Sequence, residues 1–431
     1  MNSSTIEIKN KLQGKRLLIL GGSLWKEAIK KIADTYKITL IATGNDQSAG
    51  IFEIADEKYS VNSIDSAAMK SLIKDKKIDG IYMGGSETVI SYACQYLNDI
   101  GKPCYCTKKQ WDDLQNKTLF KELCIKHGLP VAGRFNSTED VKKEDYPVIV
   151  KPADGSGSNG FSVCQNPIEL ENGIEKAKIN SPTQNYIIEK FVKNEGVVVF
   201  YTVSNGRLYF SGLEDKYPVR YKKQGSYVGG LFVFESKFSN EFRKKFESKI
   251  NSLINDIGIK EGTFWIEVFK DQDSYYFNEC GFRYGGSASI YPVDYMHGIN
   301  QVASDIYFAL TGEGRVDGFI SIIPRNIPKK KYYAVYPIYS KPGVISKIEG
   351  QDILRDDNNI VFFPVIYKTG KVIDDTGSFS QVVALAHFVF DDKRDLIHII
   401  DNIHSAFHMY NTNGDEMTYR MLYIDKLKLR G

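Results

Sequence analysis

A chain of 431 residues, 42% hydrophobic and 25% charged, with a formal net charge of +3, holds more apolar material than one core needs, so two or three domains are expected. The composition is that of a soluble globular protein, and the charge gives no reason to expect nucleic-acid or membrane binding. No apolar run spans a bilayer and the first ten residues lack a secretory apolar region, so a cytoplasmic location is expected. Cys94, Cys104, Cys106, Cys124, Cys164 and Cys280 lack CxxC spacing, which points to reduced thiols instead of a zinc site or a disulfide framework.

Lys15–Leu20 reads as a strand running into the turn Gly21-Gly22-Ser23, followed by a helix over Lys26–Tyr36 and a strand over Ile38–Thr43. A helix at Met69–Lys77, a strand at Ile78–Met83 and a helix at Ser86–Ile100 complete the alternation of a doubly wound parallel sheet. Gly21-Gly22 is half of a dinucleotide fingerprint. The Gly-x-Gly-x-x-Gly spacing is missing and no acidic residue closes the second strand, which argues against a dinucleotide-dependent dehydrogenase.

One helix is expected over Gln110–His127, stopped by Gly128 and Pro130. Val148-Ile149-Val150 is a β-branched apolar run ending on Lys151, and Gly155, Ser156, Gly157, Ser158, Asn159 and Gly160 follow before Phe161-Ser162-Val163 returns. Strand, lysine, glycine loop and strand suggest a hairpin lid over phosphates, because glycines let backbone N–H groups approach an anion. The same residues also read as an ordinary glycine-rich hairpin with an exposed lysine. Beyond it the pattern gives a helix at Ile168–Ala177 and strands at Tyr186–Val192, Val197–Val203 and Leu208–Leu213. A loop from Asp215 through Arg220 to Gly230 comes next, then a helix over Phe242–Ile257. A helix from Asp294 to Leu310, strands at Tyr332–Ile338, Gly343–Ile348 and Ile360–Tyr367, and a helix over Lys393–Tyr410 follow. His404 and His408 stand four apart on that last helix, without neighbouring residues to complete a metal site.

Glu267 lies in the apolar strand Gly262–Phe269, and Glu279 ends the strand Ser274–Cys280. A hairpin turn at Asp271–Asp273 would set the two carboxylates opposite one another, where like charges need a shared cation. Hard oxygen ligands on one or two Mg²⁺ ions that bridge nucleotide phosphates are the usual reason for such a pair. The plainer account sends one glutamate to solvent or into a salt bridge. Arg283 and Gly285-Gly286-Ser287 follow at once, and a guanidinium beside metal-binding carboxylates suits a phosphoryl oxygen.

Lys151 with its glycine loop, Glu189, Glu195, Glu267 and the run Glu279-Cys-Gly-Phe-Arg283 occur in the order of the ATP-grasp superfamily. The chain resembles its carboxylate–amine ligases, in the carbamoyl-phosphate-synthase-like and biotin-carboxylase-like branch. The resemblance implies a mixed α/β and α+β fold: an N-terminal doubly wound domain over residues 1–115, an ATP-grasp domain over 116–315 and a small C-terminal α+β domain over 316–431. It implies that Lys117 and Lys151 reach ATP phosphates under the loop 155–160. Glu189, Lys190, Phe191 and Val192 would hold adenine and Glu195 the ribose, with Glu267 and Glu279 carrying Mg²⁺ (or Mn²⁺) as two ions, and Arg283 acting on the transferred phosphate. Lys216, Arg220, Gly286 and Ser287 are substrate candidates beside Arg283. The family's Glu-x-Asn-Pro-Arg becomes Glu279-Cys-Gly-Phe-Arg283 here, so Gly281 replaces an asparagine that supplies a metal oxygen, and a water is expected in its place. The implied reaction joins a small-molecule carboxylate to an amine (or thiol) through an acyl phosphate, with release of ADP and phosphate. A bicarbonate-using carboxylase or carbamoyl-phosphate-type enzyme and a non-catalytic ATP-binding regulator are the rivals, and a homodimer is compatible with the pattern.

Overall fold

The computed structural model describes residues 3–153, 160–192, 196–220 and 227–420. Four parallel strands open the chain in the order Glu57–Tyr59, Thr39–Thr43, Arg16–Ile19 and Gly80–Tyr82. Helix Lys26–Tyr36 lays Ala28, Ile29, Ile32, Ala33 and Tyr36 on that sheet, the 3.6-residue stripe of an amphipathic helix. An additional helix, Ser3–Leu12, precedes it and buries Ile8 and Leu12.

The single helix expected over Gln110–His127 is two, Lys108–Gln115 and Lys117–Lys126. Asn116 is the reason. Its backbone is extended, and its side-chain oxygen accepts from the N–H groups of Thr118 and Leu119, so it starts a second helix where periodicity alone saw one. That restart puts Lys117 in the first turn and Lys121 one turn later on the same face.

A four-stranded antiparallel sheet, ordered Arg134–Phe135, Tyr186–Lys190, Val148–Pro152 and Ser162–Cys164, packs on helix Pro167–Ile179. Its core is a small cluster that includes Val148, Val150, Leu170, Ile174 and Ile188. The largest sheet has nine strands and runs Ser274–Gly281, Gly262–Asp271, Val197–Ser204, Arg207–Arg220, Tyr227–Phe234, Tyr332–Ser340, Val382–Phe390 and Ile360–Phe362, with Thr418–Tyr419 beside Tyr332–Ser340. Strands from both sides of residue 316 therefore share one sheet, through the pairing of Phe232 with Val335.

Three further expectations are corrected. Asp215–Arg220 is strand, not loop: it continues Arg207–Arg220 and passes Pro218 at a register shift against Tyr227–Phe234, where a missing N–H is tolerated. The helix expected from Asp294 to Leu310 divides into Ile290–His297 and Gln301–Thr311, because Gly298 takes φ +68° and Asn300 caps the second helix. The last helix stops at Ala406, ahead of buried Phe407 in extended conformation. His408 thus sits on strand His408–Asn411, paired with Gly343–Glu349, and not on the helix face of His404.

Candidate active site

The hairpin register decides where the two glutamates go. Asp271 pairs with Ser274 across a turn of two residues, which by itself would set Glu267 against Asn278. The register slips by one residue between Glu267 and Val268, leaving Asn278 as the extra residue of a bulge, and Glu267 comes opposite Glu279. Bulges of this kind re-aim side chains next to functional sites.

Four lysines from three different elements, two of them on helix Lys117–Lys126, converge on these carboxylates and on Glu189. Lys216 Nζ lies 2.5 Å from Glu267 Oε1, and Asn278 Nδ2 donates to Glu267 Oε2 at 2.7 Å. Lys117 Nζ is 3.2 Å from Glu279 Oε2. Glu189, only 1% exposed, takes Lys151 Nζ at 2.7 Å on one oxygen and Lys121 Nζ on the other. Lys151 also donates to Asn278 Oδ1 at 3.0 Å, so Asn278 ties the small sheet to the hairpin of the large one.

Burial and charge act against each other throughout this cluster. Desolvation alone would push Glu267 up, but Lys216, Asn278 and Lys117 together outweigh it and hold the carboxyl below its ordinary range. Glu189 is likewise held down against burial, by Lys151 and Lys121. Lys121 is the exception: burial and the second ammonium of Lys151 lower it to about 7, because two lysines share one carboxylate. Glu214, buried two residues before Lys216, is pushed well above the carboxylate range by desolvation, and its Oε2 has no hydrogen-bond partner among the described residues.

Arg283 continues the same line. Its Nε and Nη2 donate to Glu87 Oε1 at 3.1 and 2.5 Å, its Nη1 donates to the Tyr284 carbonyl at 2.8 Å, and its guanidinium stacks 5.5 Å from the Trp265 ring centroid. Glu87 comes from the first turn of helix Glu87–Asp99, so the N-terminal sheet reaches the site through it.

The other anticipated residues fall as follows. Gly160 takes φ +78°, and a Cβ there would stand 2.5 Å from Asn180 and 2.9 Å from Pro152, so it fits the hairpin base sterically. Lys190 ends its strand and Phe191 and Val192 follow, with the Phe191 N–H donating to the Pro147 carbonyl. Gly286 and Ser287 lie in the turn before helix Ile290–His297. Gly155, Ser156, Gly157, Ser158, Asn159 and Glu195 lie outside the described residues, as does the side chain of Arg220.

Lys121, Asn278, Glu214 and Glu87 were not anticipated. Only Lys121 carried a readable signal, its four-residue spacing from Lys117 on a helix. Glu87 joins the site through a contact 196 residues away in sequence, Glu214 through the strand of Lys216, which meets Glu267 51 residues on, and Asn278 through a bulge that sequence patterning does not announce.

The donor set fits a magnesium ion carried in on a nucleotide. Glu267 and Glu279 offer hard oxygens side by side. No group of three or more His, Cys, Asp or Glu residues suited to a metal exists among the described residues. Mg²⁺ characteristically takes one or two carboxylates and completes its octahedron with phosphate oxygens and water. A separate cleft of about 610 Å³, lined by residues such as Arg207, Glu235, Arg243 and His297, contains no member of this cluster.

Residues 144–290 match the model of the ATP-grasp domain. The formate-dependent phosphoribosylglycinamide formyltransferase of Sulfurisphaera tokodaii is 29% identical over 189 residues, 42% of this chain and 47% of that protein, so the matched stretch spans about half of this curated relative. Among solved structures, the L-amino acid ligase of Bacillus licheniformis superposes with a TM-score of 0.72 at 17% identity, covering 93% of this chain and 100% of that one. The biotin carboxylase domain dimer of the Hydrogenobacter thermophilus 2-oxoglutarate carboxylase, in complex with MgADP and bicarbonate, does so with a TM-score of 0.70 at 17% identity, over 94% of this chain and 91% of that one. Among the described residues no helix is long and apolar enough to cross a membrane. With the lysines, the paired glutamates and the following arginine in the family's order, the chain carries an ATP-grasp domain over residues 144–290.

Proposed function

We propose that the protein is an ATP-dependent carboxylate–amine ligase working through an acyl phosphate. The observation that carries this reading is the pairing of Glu267 with Glu279 across one hairpin, each carboxylate matched by its own lysine. Such an arrangement is charge-balanced when empty and can exchange partners when a polyanion and its cations enter together. A bound Mg²⁺ neutralises the phosphates and draws charge off the transferred group.

In this reading the acid's carboxylate oxygen attacks the γ-phosphorus, the bond from the β,γ-bridging oxygen to that phosphorus breaks, and ADP leaves with the electron pair. The amine nitrogen then attacks the acyl carbon, the carbon–oxygen bond to phosphate breaks, and the nitrogen loses a proton. Lys151 and Lys117 turn from Glu189 and Glu279 to phosphate oxygens, and Arg283 holds the charge that develops on the transferred group. Positioning and charge neutralisation suffice for such a transfer. Glu189 to Val192 bind adenine and Glu195 the ribose, while residues 155–160 exclude water from the acyl phosphate. Lys216, Arg220, Gly286 and Ser287 form the acid's side of the pocket. The domain division at residues 115 and 315, a homodimer, two Mg²⁺ ions, small-molecule acid and amine partners and a cytoplasmic location belong to the same proposal.

Phosphate release from ATP and Mg²⁺, with a panel of amino acids and sugar acids as both acid and amine, tests it. Release that requires an acid supports the ligase. Binding of ATP without release for any pair would favour a regulatory nucleotide-binding protein.

A further inference from the structure

Trp265 and Gly281 stand one step along the same hairpin face from Glu267 and Glu279. Trp265 is two residues before Glu267, Gly281 is two after Glu279, and the two are direct partners in the register. Side chains two apart on a strand share a face. A Cβ on Gly281 would lie 2.3 Å from Cε2 and 2.4 Å from Nε1 of the Trp265 indole, closer than any packed carbon. The indole therefore fills the volume that a side chain at position 281 needs, and the glycine is the condition for the tryptophan.

The indole also brings a hydrogen-bond donor to that spot. Trp265 Nε1 is shielded from solvent and has no hydrogen-bond partner among the described residues. Native proteins leave few buried donors unpaired, and those that remain often mark a ligand position. A phenylalanine would fill similar space without creating an orphan. The Arg283 guanidinium lies over the same ring, 5.5 Å from its centroid. The orphan N–H thus belongs to a side chain one register step from the two paired carboxylates and in contact with the Arg283 guanidinium.

We propose that Trp265 is a substrate-contacting residue whose indole N–H donates to an oxyanion, either the nucleotide's terminal phosphoryl oxygen or the acid's carboxylate, at the position where the family pattern places an asparagine. An amide oxygen there is an acceptor and suits a cation; an indole N–H is a donor only and suits an anion. The exchange removes one protein oxygen from the metal's surroundings and adds a neutral donor to the anion's. The proposal rests on the nucleotide site described above.

The test reads the indole itself. Trp25, Trp111 and Trp265 are the three tryptophans of the chain, so ¹⁵N-tryptophan labelling gives three indole N–H signals. Replacing Mg²⁺ by paramagnetic Mn²⁺ in the nucleotide complex broadens the signal nearest Glu267 and Glu279, and this identifies Trp265 without relying on a variant that folds. The probes are MgADP, Mg²⁺ with the β,γ-imido analogue of ATP, and MgADP with acetate or glycine. A downfield shift of the Trp265 proton with the imido analogue but not with MgADP assigns the donor to the terminal phosphoryl oxygen. A shift appearing only with acetate or glycine assigns it to the carboxylate. Trp265→Phe should weaken that same ligand about tenfold to hundredfold by calorimetry, the worth of a hydrogen bond to a charged group. If the imido analogue binds wild type yet the signal moves with none of the probes and Trp265→Phe binds equally well, the indole is packing alone and the proposal is overturned. If the imido analogue does not bind wild type, the nucleotide site itself is wrong and both readings fall.

Discussion

The strand of Glu267 and the strand of Lys151 are each hydrogen-bonded on both sides, yet very different amounts of protein stand behind them. Glu267 belongs to the nine-stranded sheet, flanked by Ile266 and Val268 in one of the two large cores. Lys151 belongs to a four-stranded sheet of short strands over a small cluster of buried side chains. Sub-global stability follows buried apolar contact, so the paired carboxylates sit on the part of the molecule that opens last and Lys151 on a part that opens more easily. In the proposed reading the side that would hold cations at fixed spacing is rigid and the side that would admit a nucleotide is lightly built. Asn278, bonded to both Lys151 and Glu267, joins the two.

The largest effect should come from the rigid side. Glu279→Gln keeps the volume and removes one of the two opposed charges, so a cation held as proposed would lose a ligand and Lys117 would lose the Glu279 carboxylate. A loss of several kcal/mol of charge stabilisation corresponds to a drop of about a hundredfold or more in turnover, measured by phosphate release with the acid and amine in hand. Turnover equal to wild type would make Glu279 structural.

Arg283→Ala should follow, with a rate about a hundredfold to a thousandfold lower and nucleotide affinity close to wild type, because its guanidinium acts on charge that develops during transfer. The same substitution frees Glu87 and uncovers the Trp265 ring. Parallel melting curves should therefore accompany the rates, and a collapse of the melting temperature together with the rate would assign Arg283 to the domain contact instead.

The opposition of Glu267 and Glu279 was legible because apolar alternation and a short polar turn fix a hairpin to within one residue. Counting about Asp273 reached the observed register only because the bulge at Asn278 supplied the residue that a two-residue turn leaves out. The parallel N-terminal sheet was legible for a similar reason, as apolar β runs alternate there with amphipathic helices. The break at Asn116 was less so, since Asn in mid-helix and Asn as a cap look alike until the backbone is seen. Glu87 on Arg283 and Lys216 on Glu267 were out of reach: each contact joins elements brought together by tertiary packing over 51 residues or more. Gly281 read from sequence as a missing metal ligand, and only the packing of Trp265 against it shows what stands there.

From the lightly built side, Lys151→Ala should weaken nucleotide binding about tenfold to hundredfold. From the sequence this lysine has no core to support, but in the fold it is 9% exposed and bonded to buried Glu189. Removing one partner of a buried pair is normally costly; here Lys121 remains on Glu189, so the carboxylate keeps a cation and the cost to the fold should be small. Calorimetric affinity and a melting curve on the same sample separate the two effects. An unchanged affinity would take Lys151 out of the site.

The smallest effect is a fraction of a proton. In the free protein Lys121 shares Glu189 with Lys151 and is lowered to about 7, so above that pH it is largely neutral. When nucleotide draws Lys151 to a phosphate, the like charge that depressed Lys121 moves away and Glu189 is left to it alone, which raises its pKa toward the ordinary lysine range. Binding at pH 8 should therefore take up a proton, up to about one per nucleotide. Because the complex then holds more protons than its parts, affinity falls as pH rises above about 7, with a slope of at most about tenfold per pH unit. Buffers of different ionisation enthalpy, such as Tris and HEPES, should give different apparent binding enthalpies by calorimetry, and Lys121→Met should abolish the difference. Equal enthalpies in the two buffers for the wild type would mean that Lys151 stays on Glu189 when nucleotide binds, and the exchange of partners from the lightly built side would be excluded.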